Sequence, residues 1–496
     1  MNWWDIINIG FSVALTPTNI LFAFIGAFIG TLIGVLPGIG PTATIALLLP
    51  LTFTGNTATG LIMLAGIFHG NVYGSYTTSI LVNVPGDAAS AITCLDGYQM
   101  AKKGRAGPAL GIAAMGSFIA GTFSLIMLTL LAPVFAGIGF HFGAPEFTGM
   151  AIMGLSFIVA LSSGSILKAL MMIGVGLVLG VIGVDYITRT HRFTFGIYEL
   201  EDGIGLAPVA MGLFGVSEVF ISLEASLKEE KELLVKRIKG LLPTRKDWKD
   251  SSFAITQGSI IGFLIGLIPG GNQVIAGLAS YTAQKRISKH PEKYGTGMIQ
   301  GVAAPEAANN AATGAAFIPL MTFGIPTTPV MALLLAGFMI HGVIPGPFLI
   351  KNEPNLFWGL IFSMYVANII LLALNLPLIH IWVKLLKVPY GILFPLILLF
   401  CLVGAYTINN SLIEVGLVVF FGFIGFLMYK FDYEPALLLL AVVMSPILEE
   451  SLRRTLALSG GNVSIFLHHP IAIIFMGVSI LAILSPFASK LRKMQR

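Results

Sequence analysis

The stretch GFLIGLIPGGNQVIAGLASYTAQKR, Gly262 to Arg286, decides the fold of this chain. An apolar run reaches Pro269-Gly270-Gly271-Asn272, and a second apolar run follows it and ends in basic residues. Proline lacks a backbone donor and glycine adopts dihedral angles that other residues avoid, so a helix breaks here. A similar stretch, GTLIGVLPGIGPTATIALLLPLTF, occupies Gly30 to Phe53 and breaks at Pro37-Gly38-Ile39-Gly40-Pro41. We therefore predict two helical hairpins with broken tips.

The composition is that of a protein that lies in a membrane. Of 496 residues, 56% are hydrophobic and 10% are charged, and the mean hydropathy is +0.90. Soluble proteins carry roughly 25% charged residues. Apolar runs of about 20 residues, each long enough to cross a bilayer, follow one another along the chain. The net charge of +5 lies in short loops and does not indicate nucleic acid, and Cys94 and Cys401 provide no disulfide framework.

The distribution of Lys and Arg predicts how the two hairpins enter the membrane. Basic residues flank the segment 255–287 on both sides, which places both flanks in the cytoplasm by the positive-inside rule. This segment is therefore predicted to be re-entrant. Before Arg105 the only basic residues are Lys102 and Lys103, so the first hairpin is predicted to enter from the opposite side. Five intervening spans would invert the second unit relative to the first.

Motifs of the first half return in the second half. Pro37-Gly38 precedes Pro269-Gly270 by 232 residues, and the break at Pro85 precedes the break at Pro326 by 241 residues. We predict an all-α polytopic membrane protein with an inverted repeat, interrupted transmembrane helices and two re-entrant hairpins. Analogy with other carriers that have paired hairpins adds an elevator-type architecture.

The predicted organisation has five parts. They are an N-terminal interfacial helix at 1–19, a first repeat at 20–225, a cytoplasmic amphipathic linker at 226–254, a second repeat at 255–460, and a last transmembrane helix with a basic cytoplasmic tail at 461–496. Each repeat contains a hairpin and an interrupted span, at 20–53 and 59–103 in the first, with further spans to 222, and at 255–287 and 297–344 in the second.

Small polar residues crowd the two interrupted spans. The first contains HGNVYGSYTTSILVNVPGD, His69 to Asp87, and the second contains APEAANNAATGAAFIPLMTFGIPTTP, Ala304 to Pro329. Polar side chains at membrane depth face a cavity or the bundle interior. Helix N-termini bind carboxylates through free N–H groups, and helix C-termini with unwound carbonyls suit Na⁺. The pattern predicts an anion site beside cation sites, which is co-transport.

The sequence is consistent with two roles for several polar residues. Asn309 and Asn310 either join helices by hydrogen bonds or line a site. Glu306 is either a solvated carboxylate near the cytoplasmic end of its span or an ion ligand. His69 and His341 are expected to pack and form hydrogen bonds rather than bind metal, because no partner has ligand spacing. We predict no catalytic residue, no metal centre and no cofactor besides a coupling cation.

These motifs resemble the large membrane subunit of the tripartite tricarboxylate transporters, the TctA-type permeases, over nearly the whole chain. The resemblance implies a bacterial inner-membrane secondary transporter of di- or tricarboxylates such as citrate, driven by Na⁺ or H⁺. It also implies a small four-span membrane subunit and a periplasmic solute-binding protein as partners, and such carriers often form homodimers. Two departures, Pro-Gly-Gly-Asn at the second tip and Thr327-Thr328 after the second break, leave the carboxylate open.

The breaks and the resemblance together give the candidate site residues. The predicted substrate site contains Pro37, Gly38, Gly40, Pro41, Thr42, Asn71, Ser75, Pro85, Gly86, Pro269, Gly270, Gly271, Asn272, Asn309, Asn310, Pro326, Thr327 and Thr328. The predicted cation ligands are Gly38, Thr78, Asn83, Gly270, Asn310 and Thr313.

Two rival functions belong to other classes. A passive anion channel would need a polar lining along whole helices, whereas the polar residues cluster at the breaks. An intramembrane hydrolase would need a nucleophile–base pair or a metal triad, and no spacing here provides one.

Overall fold

The computed structural model describes residues 2–36, 40–54, 56–162, 164–185, 187–226, 240–385 and 390–494. Helices form most of this part of the chain. Those of the first half are α1 (Trp3–Ala14), α2 (Pro17–Gly34), α3 (Pro41–Leu48), α4 (Thr57–Val82), α5 (Ala91–Lys102), α6 (Ala106–Gly139), α7 (Ala144–Leu161), α8 (Ile166–Gly180), α9 (Leu206–Ala210) and α10 (Ser217–Ser226).

The second half continues in the same manner. Its helices are α11 (Arg245–Gly266), α12 (Gln273–Ile287), α13 (Gln300–Ala315), α14 (Phe317–Phe323), α15 (Pro329–Ile340), α16 (Leu349–Asn352), α17 (Pro354–Asn375), α18 (Ile379–Leu385), α19 (Tyr390–Asn409), α20 (Leu412–Lys430), α21 (Pro435–Leu458) and α22 (Pro470–Met494). Short 3₁₀ segments lie at Leu49–Thr54, Ala88–Ser90, Tyr198–Leu200, Pro291–Lys293 and Val463–His468.

Glycines bring the first arm of each hairpin into backbone contact with its interrupted span. A Cβ on Gly30 would lie 2.3 Å from the carbonyl oxygen of Ile67, and a Cβ on Gly262 would lie 2.1 Å from that of Ala308. The same contact recurs one helical turn away on both sides, at Gly26, Gly34, Gly258 and Gly266. Only glycine permits helices to approach this closely. α2 is therefore packed on α4, and α11 on α13, in the same way.

The interrupted spans lie at the centre of the molecule. Every residue of α4 from Thr59 to Leu81 is buried, and so is every residue of α13 from Gly301 to Ala315. Long helices from the opposite half cover them, because α6 packs on α13 and α17 packs on α4. In the second of these contacts the Tyr73 hydroxyl donates to Asn368 Oδ1 at 2.6 Å.

The remaining helices form two flanking groups. In one, α21 packs against α7 and α8, and α22 packs against α7. In the other, α20 packs against α19 and against a π-helical segment, Met211–Val216, that joins α9 to α10. Each flanking group thus combines helices from both halves of the chain.

Within the described residues, seven helices are long and apolar enough to cross a membrane. They are Pro17–Gly34, Ala106–Gly139, Ala144–Leu161, Leu206–Glu224, Pro354–Asn375, Leu412–Lys430 and Pro435–Leu458. Together with the predominantly helical content, they confirm the prediction of an α-helical polytopic membrane protein.

The structure departs from the sequence analysis in two details. Gly183–Val184 pairs with His191–Arg192 as a two-residue antiparallel ribbon, so the chain is not purely α-helical. α11 begins at Arg245, inside the predicted linker 226–254, because Thr244 and Asp247 form a capping box there. The predicted amphipathic helix falls mostly on 227–239, which lies outside the described residues.

Candidate functional site

The tip of the second hairpin contacts the break of its own interrupted span. Gly270 has φ +80°, and its N–H donates to the carbonyl oxygen of Thr327 at 2.8 Å. Pro269 and Gly271 are buried beside it. Asn272 caps α12 by accepting from the N–H of Ile275 at 3.0 Å. The hairpin tip and the broken span are thus joined through backbone groups.

The second break is a left-handed turn followed by a new helix. α14 ends at Gly324, which has φ +71°, and α15 begins after Thr328, whose hydroxyl accepts from the N–H of Met331 at 3.3 Å. Pro326 and Thr327 are buried between the two helices. The Thr327 hydroxyl has no hydrogen-bond partner among the residues that the structure describes.

At the first hairpin the structure describes only the second half of the tip. Pro37 and Gly38 lie outside the described residues. Gly40 precedes α3 without a side-chain cap, and a Cβ placed on it would have no neighbour within 4 Å among the described residues. Pro41 occupies the first turn of α3 and Thr42 follows it, both half-buried. Because Pro41 has no N–H, the first backbone donors of α3 are Thr42 and Ala43.

The first break contacts its own hairpin, as the second break does. α4 ends at Asn83, an exposed residue with φ +58°, and half-buried Pro85 follows. Gly86 donates its N–H to the carbonyl oxygen of Ser75 at 3.3 Å, and a Cβ there would lie 2.4 Å from the Gly34 carbonyl oxygen. Asp87 then caps the next turn by accepting from the N–H of Ser90 at 2.9 Å. The turn Ala88–Ser90 is thus already capped by a carboxylate.

The predicted ligands on α4 form hydrogen bonds within the first unit. Ser75 Oγ donates to the carbonyl oxygen of Val72 at 2.8 Å, and Thr78 Oγ1 donates to that of Ser75 at 3.1 Å. Asn71 Nδ2 donates to Thr44 Oγ1 at 2.9 Å, which ties α4 to the second arm of the hairpin.

The two neighbouring asparagines of α13 differ in their hydrogen bonds. Asn310 Nδ2 donates to Ser117 Oγ on α6 at 2.8 Å, so it joins helices. Asn309 is 1% exposed, and neither of its amide atoms has a partner within the described chain. Thr313 Oγ1 donates to the Asn309 carbonyl oxygen at 3.0 Å. The solvated reading of Glu306 is wrong, because its side chain is fully buried where α13 lies under α4, α5 and α6.

The two units meet across their breaks. α12 packs on the turn after the first break, where a Cβ on Gly277 would lie 3.7 Å from the carbonyl oxygen of Ala89. In the same manner α3, from the first hairpin, packs on α15, which follows the second break. The two units thus meet at both breaks, along a seam formed by α12 on Ala88–Ser90 and by α3 on α15.

A strong link across this seam has almost no local signature in the sequence. Asp96 of α5 is fully buried and accepts hydrogen bonds from the N–H groups of Gly295, Gly297 and Met298 at 2.7–3.0 Å. The Tyr281 hydroxyl also donates to it at 2.9 Å. The glycines at 295 and 297 are the only sequence signal, since their positive φ lets the loop turn its N–H groups inward.

The histidines pack as expected. His69 stacks on Phe317 with ring centroids 5.9 Å apart, and its Nδ1 lies 2.9 Å from the Ala65 carbonyl oxygen. His341 Nε2 lies 3.3 Å from Thr52 Oγ1. Among the described residues, no group of three or more His, Cys, Asp or Glu side chains could hold a metal ion.

Charged residues of the described chain pair near the helix ends. Arg105 bonds Asp247, joining the start of α6 to that of α11. In the loop after α8, Asp185 lies 2.5 Å from Arg453 and 3.0 Å from Arg192. The backbone N–H of Thr188 and the Arg453 guanidinium hold the pKa of Asp185 well below its usual range. The seam itself contains no such cation–carboxylate pair among the residues described.

Broken helices whose ends meet inside a bundle of apolar spans define a multi-pass membrane protein of the transporter class. The chain belongs to the tripartite tricarboxylate transporter TctA family, whose model matches residues 20–440. The resemblance stated from the motifs is thereby confirmed. TctA proteins are transporter subunits, so the protein is one component of a transport system.

Two relatives come from Agrobacterium vitis. The "Uncharacterized 52.8 kDa protein in TAR-I ttuC' 3'region" is 48% identical over 486 residues, which are 98% of this chain and 96% of that protein. The "Uncharacterized protein in TAR-II ttuC' 3'region" is 45% identical over 231 residues, 47% of this chain and 96% of that protein. No solved structure shows significant similarity to the chain.

Proposed function

We propose that the protein is the large permease subunit of a tripartite, binding-protein-dependent secondary transporter that imports di- or tricarboxylates by cation symport. The observation that carries the proposal is the joining of each hairpin to a broken span, at Gly270–Thr327 in one unit and Gly34–Gly86 in the other. Such discontinuous helices form the substrate and ion sites of many secondary transporters.

The helix starts at these breaks supply the anion recognition. α3 begins without a side-chain cap, and its first backbone donors, Thr42 and Ala43, would bind the carboxylate. The helix dipole places partial positive charge at the same point. Asn309, with both amide atoms free in the described chain, adds a donor and an acceptor. The carboxylate is thus held without lysine or arginine.

The packing supports an inverted repeat. Gly26, Gly30 and Gly34 approach α4 as Gly258, Gly262 and Gly266 approach α13. The covering helices are exchanged between units, because α6 lies on α13 and α17 lies on α4. Such exchange is expected when two copies of one unit are related by a two-fold axis in the membrane plane.

We further propose an elevator motion. The hairpins and the interrupted spans would move as a transport domain against the flanking helices α7, α8 and α19–α22. The hairpins contact the flanking groups at Gly270 against Ile158 of α7 in one unit, and at Leu36 and Ala43 near Phe214 of the π-helical segment in the other. An elevator motion would break these contacts and form new ones as the hairpins slide.

The partners follow from the family. We propose that a small four-span membrane subunit and a periplasmic solute-binding protein complete the system, in the inner membrane of a bacterium, with a homodimer of the complex as a further expectation. The coupling cation is Na⁺ or H⁺.

The test is uptake of labelled citrate, and of other di- and tricarboxylates, into proteoliposomes. Uptake is expected to require all three components and an inward cation gradient. Vesicles that lack the binding protein are the control. Uptake that is independent of the gradient and of the binding protein would instead indicate a passive channel.

A further inference from the structure

Glu306 is a fully buried carboxyl group that the proposed substrate site does not use. The Thr93 hydroxyl on α5 donates to its Oε1, whereas its Oε2 has no hydrogen-bond partner within the part of the chain that the structure describes. Burying an ionised carboxylate without a cation costs several kcal/mol, and a neutral carboxylic acid avoids most of that cost. The surroundings of Glu306 therefore suit a group that takes up a proton.

The titratable groups that face Glu306 supply no positive charge. Asp87, after the first break, and Tyr76, on α4, are close enough to interact with it electrostatically. The Asp87 carboxylate caps its own turn through the N–H of Ser90. Two carboxylates at such a site repel each other when both are ionised.

The charged residues of the other elements packed on α13 lie away from Glu306. α6 contains no charged residue from Ala106 to Gly139, and α14 contains none from Phe317 to Phe323. On α5, Asp96 is bonded to the loop at 295–298, and Lys102, in the last turn, lies over the ring of Tyr98. The charged residues of α11 lie in its first turns, at Arg245–Asp250, and those of α12 lie in its last turn. On α4, His69 faces Phe317.

Glu306 shares a helix face with the proposed substrate ligand. Asn309 is three residues further along α13, so the two side chains are neighbours. Both amide atoms of Asn309 are buried and without partners in the described structure, which leaves them to a ligand. An anionic substrate beside Asn309 is repelled by an ionised Glu306 and accepted beside a neutral one. Proton binding and substrate binding are therefore coupled, each favouring the other.

We propose that Glu306 carries the coupling proton of this transporter. One proton binds a carboxylate oxygen of Glu306 when the substrate carboxylate enters from outside, and the same proton leaves to the cytoplasm when the substrate departs. Only this O–H bond forms and breaks. The inference rests on the symport proposed above and names its cation as H⁺.

The experiment uses the complete complex in proteoliposomes that contain a pH-sensitive dye, with citrate and the other carboxylates accepted by the wild type. In Glu306→Gln the side chain is permanently neutral. Accumulation driven by a pH gradient and proton entry with substrate should both be lost, while exchange of internal for external substrate should persist.

Glu414→Gln is the matched control. Glu414 of α20 is also buried, with Oε1 bonded to Asn409 Nδ2 at 2.8 Å and Oε2 without a partner in the described chain. It lies away from α13, so this variant should retain proton-coupled accumulation.

A second variant, Thr93→Val, removes the donor to Glu306 and should move the pH profile of uptake to higher pH, because the ionised carboxylate loses a hydrogen bond.

The outcomes separate this proposal from the function on which it rests. Proton entry with substrate in Glu306→Gln, or an unchanged pH profile in Thr93→Val, would overturn the role of Glu306. Wild-type uptake that follows a Na⁺ gradient without proton entry would overturn it too, while leaving carboxylate symport intact. A wild type that moves no carboxylate under any gradient would overturn both.

Discussion

At the residue scale, the tip of the second hairpin depends on Gly270. Its φ of +80° suits glycine, and a Cβ there would lie 3.1 Å from Cα of Ile158 and 3.2 Å from the carbonyl oxygen of Phe157. Left-handed backbone costs about 1–2 kcal/mol for other residues. Gly270→Ala should therefore lower thermal stability in detergent and slow carboxylate uptake, with membrane insertion unchanged.

The control for this substitution separates the effect of the positive φ from the effect of the contact with α7. Gly342 has φ +75°, and a Cβ added to it would have no neighbour within 4 Å. Gly342→Ala should lose similar stability and keep wild-type uptake. If Gly270→Ala transports as Gly342→Ala does, the hairpin tip has no part in transport.

Asn309 and Asn310 should respond differently to alanine. Asn310→Ala leaves Ser117 Oγ without the Nδ2 donor and should cost about 1–3 kcal/mol of stability. Asn309→Ala removes polar atoms that have no partner in the described structure, so stability should not fall. Because Asn309 faces the proposed substrate, its variant should nevertheless raise the substrate concentration for half-maximal uptake. Thermal unfolding and uptake kinetics of both variants check this, and a stable Asn309→Ala with normal kinetics would contradict the assignment.

At the element scale, the hairpins depend on glycine contacts. A Cβ at Gly30 or Gly262 would overlap a carbonyl oxygen of the facing span, at 2.3 and 2.1 Å. Gly30→Ala and Gly262→Ala should each destabilise the protein by about 1–3 kcal/mol, because backbone cannot move aside as a side chain can. Thermal unfolding in detergent measures this effect.

Gly174 provides the matched comparison, since it lies in α8 with no neighbour within 4 Å of an added Cβ. Gly174→Ala should be neutral or gain up to about 1 kcal/mol through helix propensity. Equal effects at Gly30 and Gly174 would show that α2 and α4 are not in close contact.

The sequence predicts the breaks well because Pro and Gly act locally. Helices end at Val82 and Phe323 and restart after Asp87 and Thr328, close to the Pro-Gly and Pro-Thr motifs. Proline alone is a weaker signal, since Pro305 and Pro446 lie inside continuous helices. The π-helical segment Met211–Val216 has no such local signature and depends on packing against α20.

The long-range contacts of the site could not be predicted from the sequence. Nothing local indicates that Asp96 of α5 binds the loop at 295–298, or that Thr93 donates to Glu306. Polar character alone placed Asn309 and Asn310 together, whereas the neighbouring helix decides that Asn310 bonds Ser117 and Asn309 bonds nothing in the described chain. Such roles are set by tertiary packing rather than by spacing.

At the scale of the whole molecule, an elevator requires the hairpins to move past the flanking helices. The Cβ of Pro269 lies 3.7 Å from an added Cβ on Gly154 of α7, within the separation that a disulfide spans. In a background with Cys94→Ser and Cys401→Ser, the pair Gly154→Cys and Pro269→Cys should cross-link on oxidation. Carboxylate uptake should then stop, and reduction should restore it.

A second pair has the same separation inside the moving body. An added Cβ on Gly277 of α12 lies 3.7 Å from Cβ of Pro305 on α13. Cross-linking Gly277→Cys to Pro305→Cys joins two parts that travel together, so uptake should continue at the rate of the reduced protein. Because each pair is compared with its own reduced form, damage from the substitutions themselves does not enter the result. Uptake that survives the cross-link between α7 and the hairpin tip would show that this contact is not broken during transport, and a different moving body would be required.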